Sequence, residues 1–219
     1  MSPTMHALFL NCTLKSSPAV SNTEALVDKV AGFMTELGAT TEKICVADHA
    51  VHTGILSDEG EGDEWPAILE RIKACDILVI ATPIWFGVRG SVCQRVIERL
   101  DGTYAEGDAG SGQYPLYGKV AGCIVTGNED GAHDVCANTL FNLTHLGCTI
   151  PPNVDCYWVG DAGPGPSYIE AGGDRHRYTN RTALYTASNL VWMAKVLAEN
   201  PCPTNLRELD ARAASLSDD

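Results

Sequence analysis

Ile77-Leu78-Val79-Ile80-Ala81 is an unbroken apolar run that leads directly into Thr82-Pro83. A strand with one wet face alternates apolar and polar residues, whereas a continuous run signals burial on both faces, the condition of a parallel sheet covered by helices. Working outward, similar short runs recur around residues 6–11, 42–47, 119–126 and 149–158, which with 76–82 make five strands. Helical patterns fall between them. Leu26, Val27, Val30, Phe33, Met34 and Leu37 repeat at helical spacing and stop at Gly38. Further helices are predicted over 64–74, 88–100, 132–146 and 178–199, the last with Leu184, Ala187, Val191, Ala194 and Ala198 on one face before Pro201. Strands alternating with helices predict an α/β fold, an open, doubly wound parallel sheet with helices on both faces and right-handed crossovers. In such sheets ligands sit beyond the carboxyl ends of the strands.

The chain has 219 residues and reads as one domain over 1–200 followed by a polar tail over 201–219, expected to fray or to pack on a neighbour. Its net charge of −13 argues against a nucleic-acid surface or a polybasic membrane face, both of which need clustered Lys and Arg. An anionic ligand must therefore be held by local dipoles and hydroxyls. Nine cysteines are scattered without a CxxC pair, which suits reduced, buried thiols and a cytoplasmic location. No apolar stretch is long enough to span a bilayer. Two glycine-rich segments, 102–118 and 160–173, are expected as long surface loops or lids.

Three loops carry the chemistry. After the first strand, Leu10-Asn11-Cys12-Thr13 opens a hydroxyl-rich loop, and Ser21 with Glu24 three residues later forms a capping box that starts a helix. Unpaired N–H groups and the helix dipole at such a terminus favour a phosphate. Thr13, Ser16, Ser21, Asn22 and Thr23 would add neutral donors, and Lys15 a charge. After the third strand, Pro83 and Gly87 bracket Ile84, Trp85 and Phe86, a surface for a flat ring, since offset stacking adds about 0.5–1.5 kcal/mol beyond area burial. After the fourth strand, Thr126-Gly127-Asn128-Glu129-Asp130-Gly131-Ala132-His133 is dense in groups that hydrogen-bond a heterocycle edge.

A phosphate cradle, a stacking platform and a polar rim are what a phosphorylated flavin requires. Over roughly residues 6–150 this trio resembles the flavodoxin-like NADPH-dependent FMN reductase and quinone reductase family. The resemblance implies a five-stranded parallel sheet of order 2-1-3-4-5 with FMN as cofactor. Thr13, Lys15, Ser21, Asn22 and Thr23 would then hold the FMN phosphate, and Pro83, Ile84, Trp85, Phe86 and Gly87 would line the isoalloxazine. Thr126, Gly127, Asn128, Glu129 and Gly131 would close its other edge. The chemistry expected is hydride transfer from NAD(P)H through FMN to a quinone-like or other small acceptor, with backbone donors of the second and third loops polarising the flavin edge. His133 and Glu129 are candidate catalytic residues. The resemblance further implies a homo-oligomer, a dimer or tetramer, with the final helix and the long loops as contact surfaces.

Rival classes are weaker. No dinucleotide fingerprint is present, and a C-x5-R phosphatase loop would need Arg where Pro18 stands. Asp48, His49 and His52 read as a solvated loop, and no metal site is expected. The serious alternative is a flavodoxin-type one-electron carrier, which shares fold, acidity and FMN.

Overall fold

A computed structural model of the protein describes residues 3–163 and 165–216. Pro164 in the second long loop and the last three residues of the tail lie outside the described residues. Five strands form a parallel sheet: β1 (His6–Asn11), β2 (Thr40–Cys45), β3 (Ile77–Trp85), β5 (Val120–Gly127) and β6 (Asp155–Val159), in the order β2-β1-β3-β5-β6. This is the flavodoxin-like order 2-1-3-4-5 once the short β4 (Val88–Arg89), which pairs antiparallel with β3, is set aside. Successive residues of a strand point to opposite faces, and here both faces are buried. Phe9, Ile77, Val79 and Ile124 pack on the side of α1 (Asn22–Glu36) and α5 (Arg177–Glu199). Leu8, Leu10, Leu78 and Ile80 pack on the side of α2 (Trp65–Ala74) and α3 (Ser91–Leu100). Burying each such side chain contributes about 1.5–3 kcal/mol.

Local chemistry sets the boundaries. Helix α1 starts where Ser21 Oγ accepts the Glu24 N–H at 3.1 Å. The reciprocal half of the expected capping box is absent among the described residues, because the Glu24 carboxylate pairs with Lys43 at 3.1 Å instead. At the other end Gly38 (φ +85°) allows the Gly38 N–H to bond Thr35 O and the Ala39 N–H to bond Met34 O, the double closure of a Schellman stop.

Two expectations need correction, and of the two outcomes expected for the tail, fraying or packing, the structure shows packing. The strand expected over 149–158 shortens to Asp155–Val159, with only an isolated bridge between Thr149 and Val120 before it, because Pro151 and Pro152 carry no N–H for a ladder. The third helix begins at Ser91 rather than at 88, since Val88 and Arg89 fold back on Trp85 and Ile84. The tail packs and is partly helical: α6 (Leu206–Ser215) follows an Asn205 cap, Leu206 N–H donates to Ser111 O at 2.7 Å, and Gln113 Nε2 donates to Thr204 O at 2.7 Å. Helix α4 (Ala132–His145) completes the layers. No helix among the described residues is long and apolar enough to cross a membrane.

Candidate functional site

A cleft of about 400 Å³ opens at the carboxyl ends of β1, β3, β5 and β6, within the usual range for small-molecule and cofactor sites. Its first end is the β1–α1 loop, where Thr13, Lys15, Ser21, Asn22 and Thr23 all line the wall. Asn11 Oδ1 accepts the Thr13 N–H at 3.2 Å and so shapes the turn, while its amide nitrogen has no partner among the described residues. The Lys15 ammonium donates to Val20 O at 3.2 Å, bracing the loop it was expected to charge. Ser16 lies outside the lining, exposed on the loop.

The middle of the cleft is Pro83, Ile84 and Trp85. Trp85 is 49% exposed, so one of its surfaces is free to meet a flat ring. Phe86 is not part of this wall: it is 91% exposed at the tip of the β3–β4 turn. There Phe86 and Gly87 both take positive φ (50° and 79°), the pattern of a tight hairpin turn. Left-handed backbone is unfavourable for a bulky residue. It is held by Glu129, whose carboxylate accepts the Phe86 and Gly87 N–H groups, each at 3.0 Å. The two turn donors expected to polarise a ligand edge are therefore occupied by the Glu129 carboxylate.

Thr126, Gly127, Asn128 and Glu129 form the far rim. Gly131 lies outside the lining and serves packing: a Cβ there would stand 2.3 Å from Gly87 O, so only glycine lets the two loops meet. His133 also lies outside the lining, its Nε2 sharing a 2.9 Å hydrogen bond with the Tyr157 hydroxyl. Asp48, of the cluster read as solvated, accepts from Ser17 N and Oγ at 2.6 and 2.7 Å.

Sequence reasoning missed a fourth wall. Trp158, Gly163, Gly165, Ser167 and Tyr168 line the cleft from β6 and the segment after it. Asn128 draws this segment in, its Nδ2 donating to Gly165 O and Pro166 O at 2.9 Å each. The rule that ligands sit beyond strand ends applies equally to the fifth strand, which was the signal available. Tyr168 is 2% exposed and its hydroxyl has no partner among the described residues. Burial pushes this phenol up to about 12, so it stays a neutral donor.

The cleft thus joins hydroxyls and a helix terminus, an indole and a polar rim at the strand ends of a flavodoxin-like fold. The chain belongs to the NADPH-dependent FMN reductase family, which matches residues 5–161. It is 42% identical over 224 residues to 8-demethyl-8-aminoriboflavin-5'-phosphate synthase of Streptomyces davaonensis, covering 98% of this chain and 87% of that protein. Its fold is similar to a crystal structure of RosB with the bound intermediate 8-demethyl-8-formylriboflavin-5'-phosphate (TM-score 0.92, 40% identity, 99% of this chain and 89% of that one). A third relative, the divalent metal cation transporter MntH of Mycobacterium bovis, is 43% identical over 201 residues. The match covers 88% of this chain but 29% of that relative's length.

Proposed function

We propose that the chain binds FMN in this cleft and is an oxidoreductase that moves hydride from NAD(P)H to a quinone-like or other small acceptor, or to FMN itself. The observation that supports it is the division of the cleft into a hydroxyl-lined helix terminus, an indole platform and a polar rim. Bound FMN supplies the hydride chemistry. The chain's residues bind and orient. Thr13, Ser21 and Asn22, with the first N–H groups of α1, hold the phosphate against a helix dipole. Trp85 would supply the surface on which the ring stacks. Glu129 acts by holding the turn that carries Trp85, and His133 stands outside this machinery.

The test is the visible spectrum of the purified protein with and without added FMN, followed by NADH or NADPH oxidation with a quinone. Absence of flavin uptake overturns the reading. Flavin uptake without nicotinamide consumption removes the reductase, and a persistent semiquinone on photoreduction then assigns a flavodoxin-type one-electron carrier.

A second reading makes FMN a substrate. Its support is the kinship, over nearly the whole chain, with a synthase named for a modified riboflavin phosphate. Mass spectrometry of flavin recovered after incubation distinguishes the two, because a cofactor leaves unchanged. The proposal includes a homo-oligomer. Its support is the exposed row of Tyr178, Tyr185 and Trp192 at seven-residue spacing on α5, and light scattering tests it.

A further inference from the structure

The segment after β6 lies along the cleft as a strap, fixed at two places. At the rim, Asn128 Nδ2 donates to Gly165 O and Pro166 O at 2.9 Å each. At the cradle, Ile169 N–H donates at 2.9 Å to the Oδ1 of Asn22, the first residue of α1. Ser167 stands between these ties and lines the cleft. Successive Cα atoms are about 3.8 Å apart, so the Cα of Ser167 lies within about 8 Å of those of Pro166 and Ile169, between rim and cradle.

The protein itself does not use the Ser167 hydroxyl. A serine that opens a turn commonly accepts the N–H two residues further on. Ser167 opens such a turn, with Ala171 N–H donating to Ser167 O at 2.8 Å, but the Ile169 N–H is taken by Asn22. Among the described residues the Ser167 hydroxyl has no hydrogen-bond partner, and the residue is half-buried, so solvent in the cleft still reaches it. The backbone that carries it is pinned from the other side, because Tyr168 is buried and packs edge to face on Trp158 with centroids 5.6 Å apart. A hydroxyl held there keeps one donor and its acceptor lone pairs for a ligand. With the ring of a flavin phosphate at Trp85 and the rim, and its phosphate at the start of α1, the part between them is the ribityl chain, a polyol.

We infer that the Ser167 hydroxyl hydrogen-bonds the ribityl chain of the bound flavin. This rests on the reading of the cleft as an FMN site and adds a contact from beyond residue 161, where the family match ends.

The experiment compares Ser167→Ala with the unchanged protein in three ways: calorimetric titration with FMN, displacement of FMN by riboflavin and by lumiflavin, and thermal melting without ligand. Lumiflavin carries a methyl group in place of the ribityl chain. The variant is expected to melt at the same temperature, to bind FMN and riboflavin about fivefold more weakly and to bind lumiflavin as before. Unchanged FMN affinity overturns the inference. A loss confined to FMN also overturns it, because the hydroxyl then meets the phosphate, and so does a loss shared by lumiflavin, which would show a general change of the cleft. A fall in melting temperature of the ligand-free variant overturns it by showing that the hydroxyl already has a protein partner. If the unchanged protein binds no FMN, the proposed function itself fails and the inference with it. If it binds and Ser167→Ala binds equally well, only the role of Ser167 fails.

Discussion

The hydroxyls of Thr23 and Thr126 meet at 2.8 Å in buried surroundings, although 103 residues separate them. This contact ties the first turn of α1 to the end of β5, so the cradle and the rim are registered against each other before any ligand enters. Thr23, expected as a phosphate donor, lines the cleft and shares its hydroxyl with Thr126. Thr23→Val keeps the shape and strands the Thr126 hydroxyl, at a cost of about 1–3 kcal/mol. The double change Thr23→Val with Thr126→Val removes both polar groups and is expected to recover most of that loss. Urea unfolding of the two singles and the double checks this, and additive losses would show that the hydroxyls do not interact.

Glu129 is the second tie. With its carboxylate accepting both turn N–H groups, the positive-φ geometry at Phe86 is held from the opposite loop. Glu129→Ala is expected to loosen the turn and weaken FMN binding about tenfold, while Glu129→Gln, which keeps one acceptor, loses less. Titration with FMN followed by Trp85 fluorescence reads this directly. Equal affinity in all three proteins would show that the turn stands without the clamp.

Much of this arrangement was legible in the chain. The apolar runs at 6–11, 76–82 and 119–126 gave strands at those places because both of their faces are buried, so no alternation blurred them. Thr13, Ser21, Pro83, Trp85, Asn128 and Glu129 share one cleft, as their places at strand ends and helix starts, which have local signatures, led one to expect. What was missed depends on distant contacts. The Val88–Arg89 hairpin needs a phenylalanine at φ 50°, which no local preference announces and Glu129 supports from 43 residues away. The strap at 163–168 has no periodicity, and only Asn128 and Asn22 bring it to the cleft. Helix α6 buries none of its residues, so it carries little apolar pattern to read.

The cradle is tested by Thr13→Ala with Ser21→Ala. The second change also removes the α1 cap, at about 0.5–2 kcal/mol, so stability must be followed alongside binding. The expected result is a folded protein that loses added FMN on gel filtration. Flavin content equal to that of the unchanged protein would remove both hydroxyls from the site.

Arg99 and Asp63 form an ion pair with both side chains fully buried, and it contributes to acid stability. Burial alone would raise the Asp63 carboxyl. Arg99, at 2.6 Å, and the N–H groups of Glu59, His52 and Trp65 outweigh it and hold the group well below the usual carboxylate range. The same guanidinium reaches Leu56 O and His52 O at 3.0 Å, and Arg95 Nη1 donates to Val51 O at 3.0 Å, so α3 grips the loop that precedes α2 through two arginines. A carboxyl lowered in the folded state contributes stability that is complete above its unfolded value of about 3.9 and is lost as pH falls below it. Asp63→Asn leaves Arg99 buried without a counter-charge and is expected to destabilise by about 3 kcal/mol at pH 7. Because Asn does not titrate, the gap between the two proteins should shrink by about 1 kcal/mol near pH 3. Denaturation midpoints at both pH values measure it, and a gap that stays constant would show that Asp63 does not titrate with folding.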